Sequence, residues 1–317
     1  VLYAHPTNYP KQIVVSSKFT IVLRIYIHLI GLSVPLFIIF ALLVLSVGRS
    51  QADEIIAFVN YGVGGETDIF VADLARGLRQ NLTRSPAADL HPDWSPDGTK
   101  IVFSSTRDGF INLHMMDASG RNVSRLTDNQ TNATTPDWSP DGTKIAFAYS
   151  YPVLGAPDIY IMDLETGDLL RVTANRLLDQ KPDWSPDGNY LIYQSNAGGI
   201  SNLYIRDAAG NPVRRVTQNN RDNASASWSP DGKYLASQTN LDGVAQIQII
   251  NLETDETQFY TDSTLFNLDP VWIDRQTLYY VSYPQGNPVI YELDVESGET
   301  EMILEFALQP AIRPIVE

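Results

Sequence analysis

HPDWSPDGTKIVFSS, residues 91–105, is written out again along this chain with small changes. It returns as TPDWSPDGTKIAFAY at 135–149, KPDWSPDGNYLIYQS at 181–195 and SASWSPDGKYLASQT at 225–239. A fifth copy, DPVWIDRQTLYYVS at 269–282, keeps the proline and the tryptophan and loses the rest. All five tryptophans of the chain (Trp94, Trp138, Trp184, Trp228, Trp272) therefore share one register, with spacings of 44, 46, 44 and 44 residues. A period of this length, broken by Pro-Asp-Gly turns and lacking any 3.6-residue periodicity, belongs to a β-propeller blade rather than to a helical repeat.

Each unit parses into four short strands. In the unit around Trp94 they are expected at 92–95, 100–105, 111–117 and 123–127, separated by turns at 96–98, 107–109 and 119–120. Proline presets the first corner of each Ser-Pro-Asp-Gly turn, and glycine accepts the positive φ that a bulged hairpin needs. An opening set of three strands at 55–60, 68–74 and 80–83 lacks the tryptophan strand, which makes six units in all. Five times, 11 residues separate the threonine that ends an outer strand (Thr83, Thr127, Thr173, Thr217, Thr261) from the next tryptophan. The tail Arg313-Pro314-Ile315-Val316 lies about as far beyond the last outer strand at 300–304, so it is expected to supply the missing strand and close the ring. The fold class read from the sequence is thus all-β, a six-bladed β-propeller over 55–317 closed by its C-terminal strand.

Ahead of it, residues 25–48 form an uncharged run, IYIHLIGLSVPLFIIFALLVLSVG. As a helix this run covers roughly 36 Å, enough for a hydrocarbon core of ~30 Å. Lys11, Lys18 and Arg24 precede it and only Arg49 follows, so the bias of basic residues puts 1–24 in the cytoplasm and the propeller outside. The run is expected to be an uncleaved transmembrane anchor, with 49–54 as linker. A signal segment cut after Ala52, leaving a periplasmic or secreted propeller, is the other reading.

Charge narrows the partners. The chain holds 22 Lys plus Arg against 37 Asp plus Glu, a net of −15, and residues 1–52 contain no acid. The remainder sets 18 bases against all 37 acids, a net of −19. Such a surface repels phosphate backbones, so nucleic acid is not an expected partner. With no cysteine there is no disulfide, thiolate metal site or cysteine nucleophile.

The Pro-Asp-Trp-Ser-Pro-Asp-Gly core at 92–98, 136–142 and 182–188, with its KIxF strand and RLT ending, resembles the WD-like repeat of TolB-type β-propellers. The resemblance spans residues 55 to about 316. It implies a periplasmic cell-envelope protein whose propeller binds a peptidoglycan-associated lipoprotein. That family also carries an α/β domain ahead of the propeller, where this chain has the hydrophobic run. The expectation is therefore a TolB-like binding module, without that domain, whose partner is a protein or envelope polymer.

Propeller ligands meet the loops that enter the innermost strands. Three residues before each tryptophan stand His91, Thr135, Lys181, Ser225 and Asp269, five side chains beside an otherwise repetitive motif. Five before it stand Asp89, Ala133, Asp179, Asn223 and Asn267. Both rings, Ala133 apart, are candidate recognition residues at the channel mouth. The motif aspartates Asp93, Asp97, Asp137, Asp141, Asp183 and Asp187 lack the alternate spacing of a calcium loop and read as turn and backbone caps. No metal site and no cofactor is expected. Catalysis finds no G-x-S-x-G elbow and no H-E-x-x-H, and His114 reads as a packed strand residue. The alternative function is a carbohydrate-active glycosidase or lyase using two carboxylates of different blades at the channel mouth.

Overall fold

The computed structural model describes residues 54–314, apart from 62–65, 129, 151–154, 176 and 262–263. The hydrophobic run at 25–48 and the proposed cleavage point after Ala52 lie outside the described residues. Among the described residues no helix is long and apolar enough to cross a membrane.

Residues 54–314 build six antiparallel four-stranded sheets, the blades of a propeller. Blades 2 to 6 are each one continuous stretch, and their innermost strands are Asp89–Trp94, Asn132–Trp138, Asp179–Trp184, Asn223–Trp228 and Asn267–Trp272. Blade 1 joins Ile55–Tyr61, Thr67–Asp73 and Leu78–Asn81 to Leu308–Ile312 from the far end of the chain. The ring is closed by a C-terminal strand, as the repeat count requires.

The closing strand is not the segment expected. It is 308–312, ahead of the expected 313–316, because the outer strand of blade 6 runs on to Glu305 and only Phe306 and Ala307 link the two. Ile312 pairs with Ile56 as Trp94 pairs with Ile101, so an isoleucine stands where the other blades have tryptophan. Arg313 follows it, its guanidinium 5.4 Å from the centre of the Trp94 ring and its Nε donating to Gly98 O at 3.0 Å. The seam is thereby held to blade 2 as well.

The core is not one cluster but six layers between blades. Trp94 of blade 2 packs with Ala57, Val59 and Ile69 of blade 1, and Trp138 with Val102 and Leu113 of blade 2. Trp184 packs with Ala146, Ala148 and Ile159, and Trp272 with Ala236 and Ile247. Each ring buries on the order of 150–250 Å², worth roughly 4–6 kcal/mol gross per interface before ordering costs. The layer between blades 6 and 1 has no tryptophan and uses Phe58, Tyr279 and Ile290 instead, with the Tyr279 hydroxyl bonded to Glu54.

Candidate functional site

The innermost strands begin earlier than the motif suggests, at Asp89 rather than residue 92, so the residues three before each tryptophan lie inside strands and not in loops. Each sits at a bulge, where the pairing with the second strand slips: between Leu90 and Asp93, Thr134 and Asp137, Gln180 and Asp183, Ala224 and Ser227, and Leu268 and Val271. There His91, Thr135, Lys181, Ser225 and Asp269 adopt φ of 48–51°, a left-handed conformation that side chains other than glycine rarely take. The repetition in every blade marks a built feature. Gln309, three before Ile312, has φ 49° and is the sixth member of the ring.

The bulges carry these side chains to the channel mouth, where they meet across blades. Lys181 Nζ of blade 4 contacts Asp269 Oδ1 of blade 6 at 2.6 Å, and the Ser225 hydroxyl of blade 5 donates to the same oxygen at 2.9 Å. Lys181 also donates to Ser225 Oγ. The backbone N–H of His91 donates to Gln309 Oε1 at 2.8 Å, and that of Lys181 to Thr135 Oγ1 at 3.3 Å. Gln194 and Gln238 do the same service for Ser225 and Asp269. The bulges at His91, Lys181, Ser225 and Asp269 are thus each tied to the blade before them.

Burial alone would raise the Asp269 pKa, but the Lys181 ammonium, the Lys181 and Ser225 hydrogen bonds and the nearby His91 outweigh it and hold the carboxyl below its usual value. His91 is driven the other way. Burial first, then repulsion from Lys181, lowers its pKa to about 4 against the pull of Asp269. At neutral pH the mouth therefore presents one ammonium, one carboxylate and an uncharged imidazole whose Nδ1 is buried without a hydrogen bond. Lys181 and Asp269 keep 31% and 24% of their side chains exposed, enough for a ligand to reach the pair.

The residues five before each tryptophan are not on this surface. Asp89, Asp179, Asn223 and Asn267 are all buried. Both oxygens of Asp89 receive Arg107. Asn223 donates to Asn219 Oδ1 and Arg221 O and accepts from Gln248, while Asn267 donates to Leu265 O. Asn223 and Asn267 thereby pin the loops that enter their strands.

The motif aspartates divide into two roles that one letter conceals. Asp97, Asp141 and Asp187 cap the turn, each accepting from the serine two before it and the N–H two after it. Asp93, Asp137 and Asp183 reach out of their blade and accept the backbone N–H of Trp138, Trp184 and Trp228 in the next one, at 2.8, 2.7 and 2.9 Å. Burial raises all three pKa values, Asp93 to about 7, Asp183 to about 8 and Asp137 well above the usual range with help from its two neighbours' charge. These are the carboxyls a hydrolytic reading would turn to, and they are engaged as latches between blades. Among the described residues no set of three or more His, Asp or Glu is arranged to hold a metal ion. His114 is buried in its strand, with Nε2 3.1 Å from Asp108.

Comparison with known proteins follows this geometry. Residues 40–151 and 148–265 each match the model of the TolB beta propeller domain. Among solved structures, TolB from Acinetobacter baumannii superposes with a TM-score of 0.75 at 24% identity, covering 84% of this chain and 68% of that one. A putative TolB from Agrobacterium tumefaciens gives 0.64 at 19%, covering 83% and 98%. At these identities the likeness is one of fold. A tricorn protease homolog of Streptomyces coelicolor is 35% identical over 74 residues, which is 23% of this chain and only 6% of that protein's length.

Proposed function

Because this chain belongs to the TolB β-propeller domain family, we propose that it is a non-catalytic binding platform whose docking face is the channel mouth. The observation that carries the reading is the Lys181–Ser225–Asp269 group, an ion pair held open to solvent on a backbone bulge that every blade repeats. A closed ring of this kind orders little on binding, so its contacts are not offset by stiffening of the scaffold. The ring offers both signs of charge, hydroxyls from Ser225 and Thr135, and the amide of Gln309. That mixture suits a polypeptide or a polar envelope polymer. The fold gives no activity by itself, so the residues of the mouth carry the assignment.

The propeller works outside the cytoplasmic membrane in this reading, tethered through residues 25–48 or released by cleavage after Ala52. The test is capture from detergent-solubilised envelopes with the full chain as bait, run beside Lys181→Glu and Asp269→Lys. Loss of the captured partner in both variants is expected while both keep the β-sheet circular dichroism of the folded propeller. Equal capture by all three proteins removes the channel mouth as the docking face.

A further inference from the structure

A cavity of about 300 Å³ opens in blade 4, and none of Lys181, Ser225 and Asp269 lines it. Its walls include Tyr193, Tyr204 and Val213 together with three arginines, Arg206, Arg214 and Arg215. Beyond residue 52 the chain sets 18 bases against 37 acids, so three cations between residues 206 and 215 run against its composition. Arg214 is neutralised, its Nη2 standing 2.9 Å from Asp255 Oδ1. The other two are held by neutral oxygens. Arg206 donates to the Tyr193 hydroxyl at 3.1 Å and to Gly210 O at 2.7 Å, and Arg215 Nε donates to Thr217 O at 2.6 Å. Among the described residues neither has a carboxylate partner.

The neighbouring blades show what Arg215 lacks. Arg125 of blade 2 and Arg171 of blade 3 hold the same place in the repeat, two residues before the threonine that ends the outer strand. Arg171 uses its Nε as Arg215 does, on Thr173 O, and meets Asp158 through Nη2. Arg125 stands 3.5 Å from Asp108, whose carboxylate also contacts His114 Nε2 at 3.1 Å. Blade 4 has neither acid. Tyr204 pairs with Arg215 as Tyr160 pairs with Arg171 and His114 with Arg125. In that register Asn202 occupies the position of Asp158, and Gly198 the position of Asp108. A Cβ built on Gly198 would lie 3.7 Å from Arg215 Nη1, so a side chain there would reach the guanidinium. Ala197, Gly198 and Gly199 are all exposed, and the approach to Arg215 from that side is open to solvent.

We propose that this cavity is an anion site, in which the carboxylate of a ligand sits beside Arg215 as the Asp108 carboxylate sits beside Arg125 in blade 2. Nη1 and Nη2 of Arg215 and Nη2 of Arg206 carry no hydrogen bond among the described residues, and a guanidinium presents such donors as a planar fork that suits a carboxylate. The body of the ligand is apolar. Tyr204, Pro212 and Val213 wall the cavity, and its volume is roughly that of ten waters, far more than a carboxylate alone fills. The class is therefore an organic monocarboxylate on an aromatic or aliphatic body, supplied as a free acid or as the chain-terminal residue of a polypeptide. The net charge of the propeller opposes every anion and a dianion most, which favours a carboxylate over a phosphate monoester. Salt screens that field beyond about 8 Å, so the guanidiniums of the cavity itself decide the binding.

The test uses the full chain with N-acetylphenylalanine as probe, followed by ligand-observed NMR, and N-acetylphenylalanine amide, which lacks the carboxylate, as control. Wild type should bind one equivalent of the acid saturably in the millimolar range, about tenfold better than the amide and better than phenyl phosphate. Arg215→Ala should abolish binding of the acid, and Arg215→Lys, which keeps the charge and loses the fork, should weaken it about tenfold. Gly198→Asp should abolish it too, since the new carboxylate takes the ligand's place, and should raise the melting temperature by about 1–3 °C. The nearest atom to a Cβ at Gly198 is at ordinary contact distance, so this variant folds and decides the matter if Arg215→Ala does not. N-acetyl-Ala-Ala-Phe with a free C-terminus separates the two sources: tighter binding than the single residue identifies a polypeptide end, equal binding a free acid. The proposal is overturned if Gly198→Asp binds the acid as wild type does, if wild type binds amide and acid alike, or if it binds neither.

Discussion

Lys181 and Asp269 are 88 residues apart in sequence and two blades apart in the ring, and their charged atoms meet at 2.6 Å over the channel mouth. The blade between them contributes Ser225 to the same carboxylate oxygen. Removing either ion leaves the other half-buried and unpaired, which costs more than removing both. Lys181→Met alone should destabilise the propeller by about 1–3 kcal/mol, and adding Asp269→Asn should restore part of that loss. Urea denaturation of the four proteins of this cycle checks it; additive losses would mean that the pair is not coupled. The sign with pH follows from the lowered Asp269 pKa: its contribution is present above the unfolded carboxyl value and is lost as pH falls through the folded one.

His91 reports on the same pair. With its pKa near 4 in the folded protein against about 6.5 unfolded, it is uncharged at neutral pH, and stability falls as pH drops from about 6.5 to about 4. Lys181→Met should raise the His91 pKa by removing a repelling charge, and Asp269→Asn should lower it further. An NMR titration of the imidazole in each variant measures both shifts, and shifts of the opposite sign would place the three groups in a different arrangement.

The latch aspartates make a separate prediction. Because their folded pKa values lie above the unfolded one, the folded state holds protons that the unfolded chain has released, and stability declines as pH rises from about 4 toward about 8. Asp183→Asn keeps an oxygen for Trp228 N–H and removes the titration, so the melting temperature of the variant relative to wild type should rise steadily from below pH 4 to pH 8.5. Asp183→Ala instead leaves a buried N–H unpaired and should be less stable than Asp183→Asn by about 1–3 kcal/mol at every pH. If the asparagine variant tracks wild type at pH 8.5, the Asp183 carboxyl does not titrate in this range.

How far the sequence could be read depended on whether a feature was local. Blade count and strand order followed from the tryptophan period, since every tryptophan performs the same packing in its own interface. Gln309 escaped because Ile312 replaces the tryptophan that marks the register. The left-handed bulge left no glycine to betray it; it is enforced by pairing with the second strand and by side chains of the preceding blade. Asp93 and Asp97 are both motif aspartates, and only the adjacency of the next blade makes the first a latch and the second a turn cap. Asp89 and Asp179 are polar yet buried, and burial is set by neighbouring segments that a residue's place in the repeat does not reveal.

The seam can be tested directly. Ending the chain at Ala307 removes the innermost strand of blade 1, with Leu308, Ala311 and Ile312 from two interblade layers and the Arg313 contacts to blade 2. It leaves the strand Ile55–Tyr61 with an unpaired edge facing the channel. The truncated protein should lose the cooperative unfolding of the closed ring, and its melting temperature should fall by more than about 10 °C, since a loss of several kcal/mol shifts a domain of this size by 2–4 °C per kcal/mol. A synthetic peptide of residues 304–317 added in trans should restore part of the transition by strand addition. Gln309→Ala in the full chain is the contrast: it removes only the acceptor of the His91 N–H and should cost about 1 kcal/mol. A truncated chain that melts like the intact one would show that the ring does not depend on its closing strand.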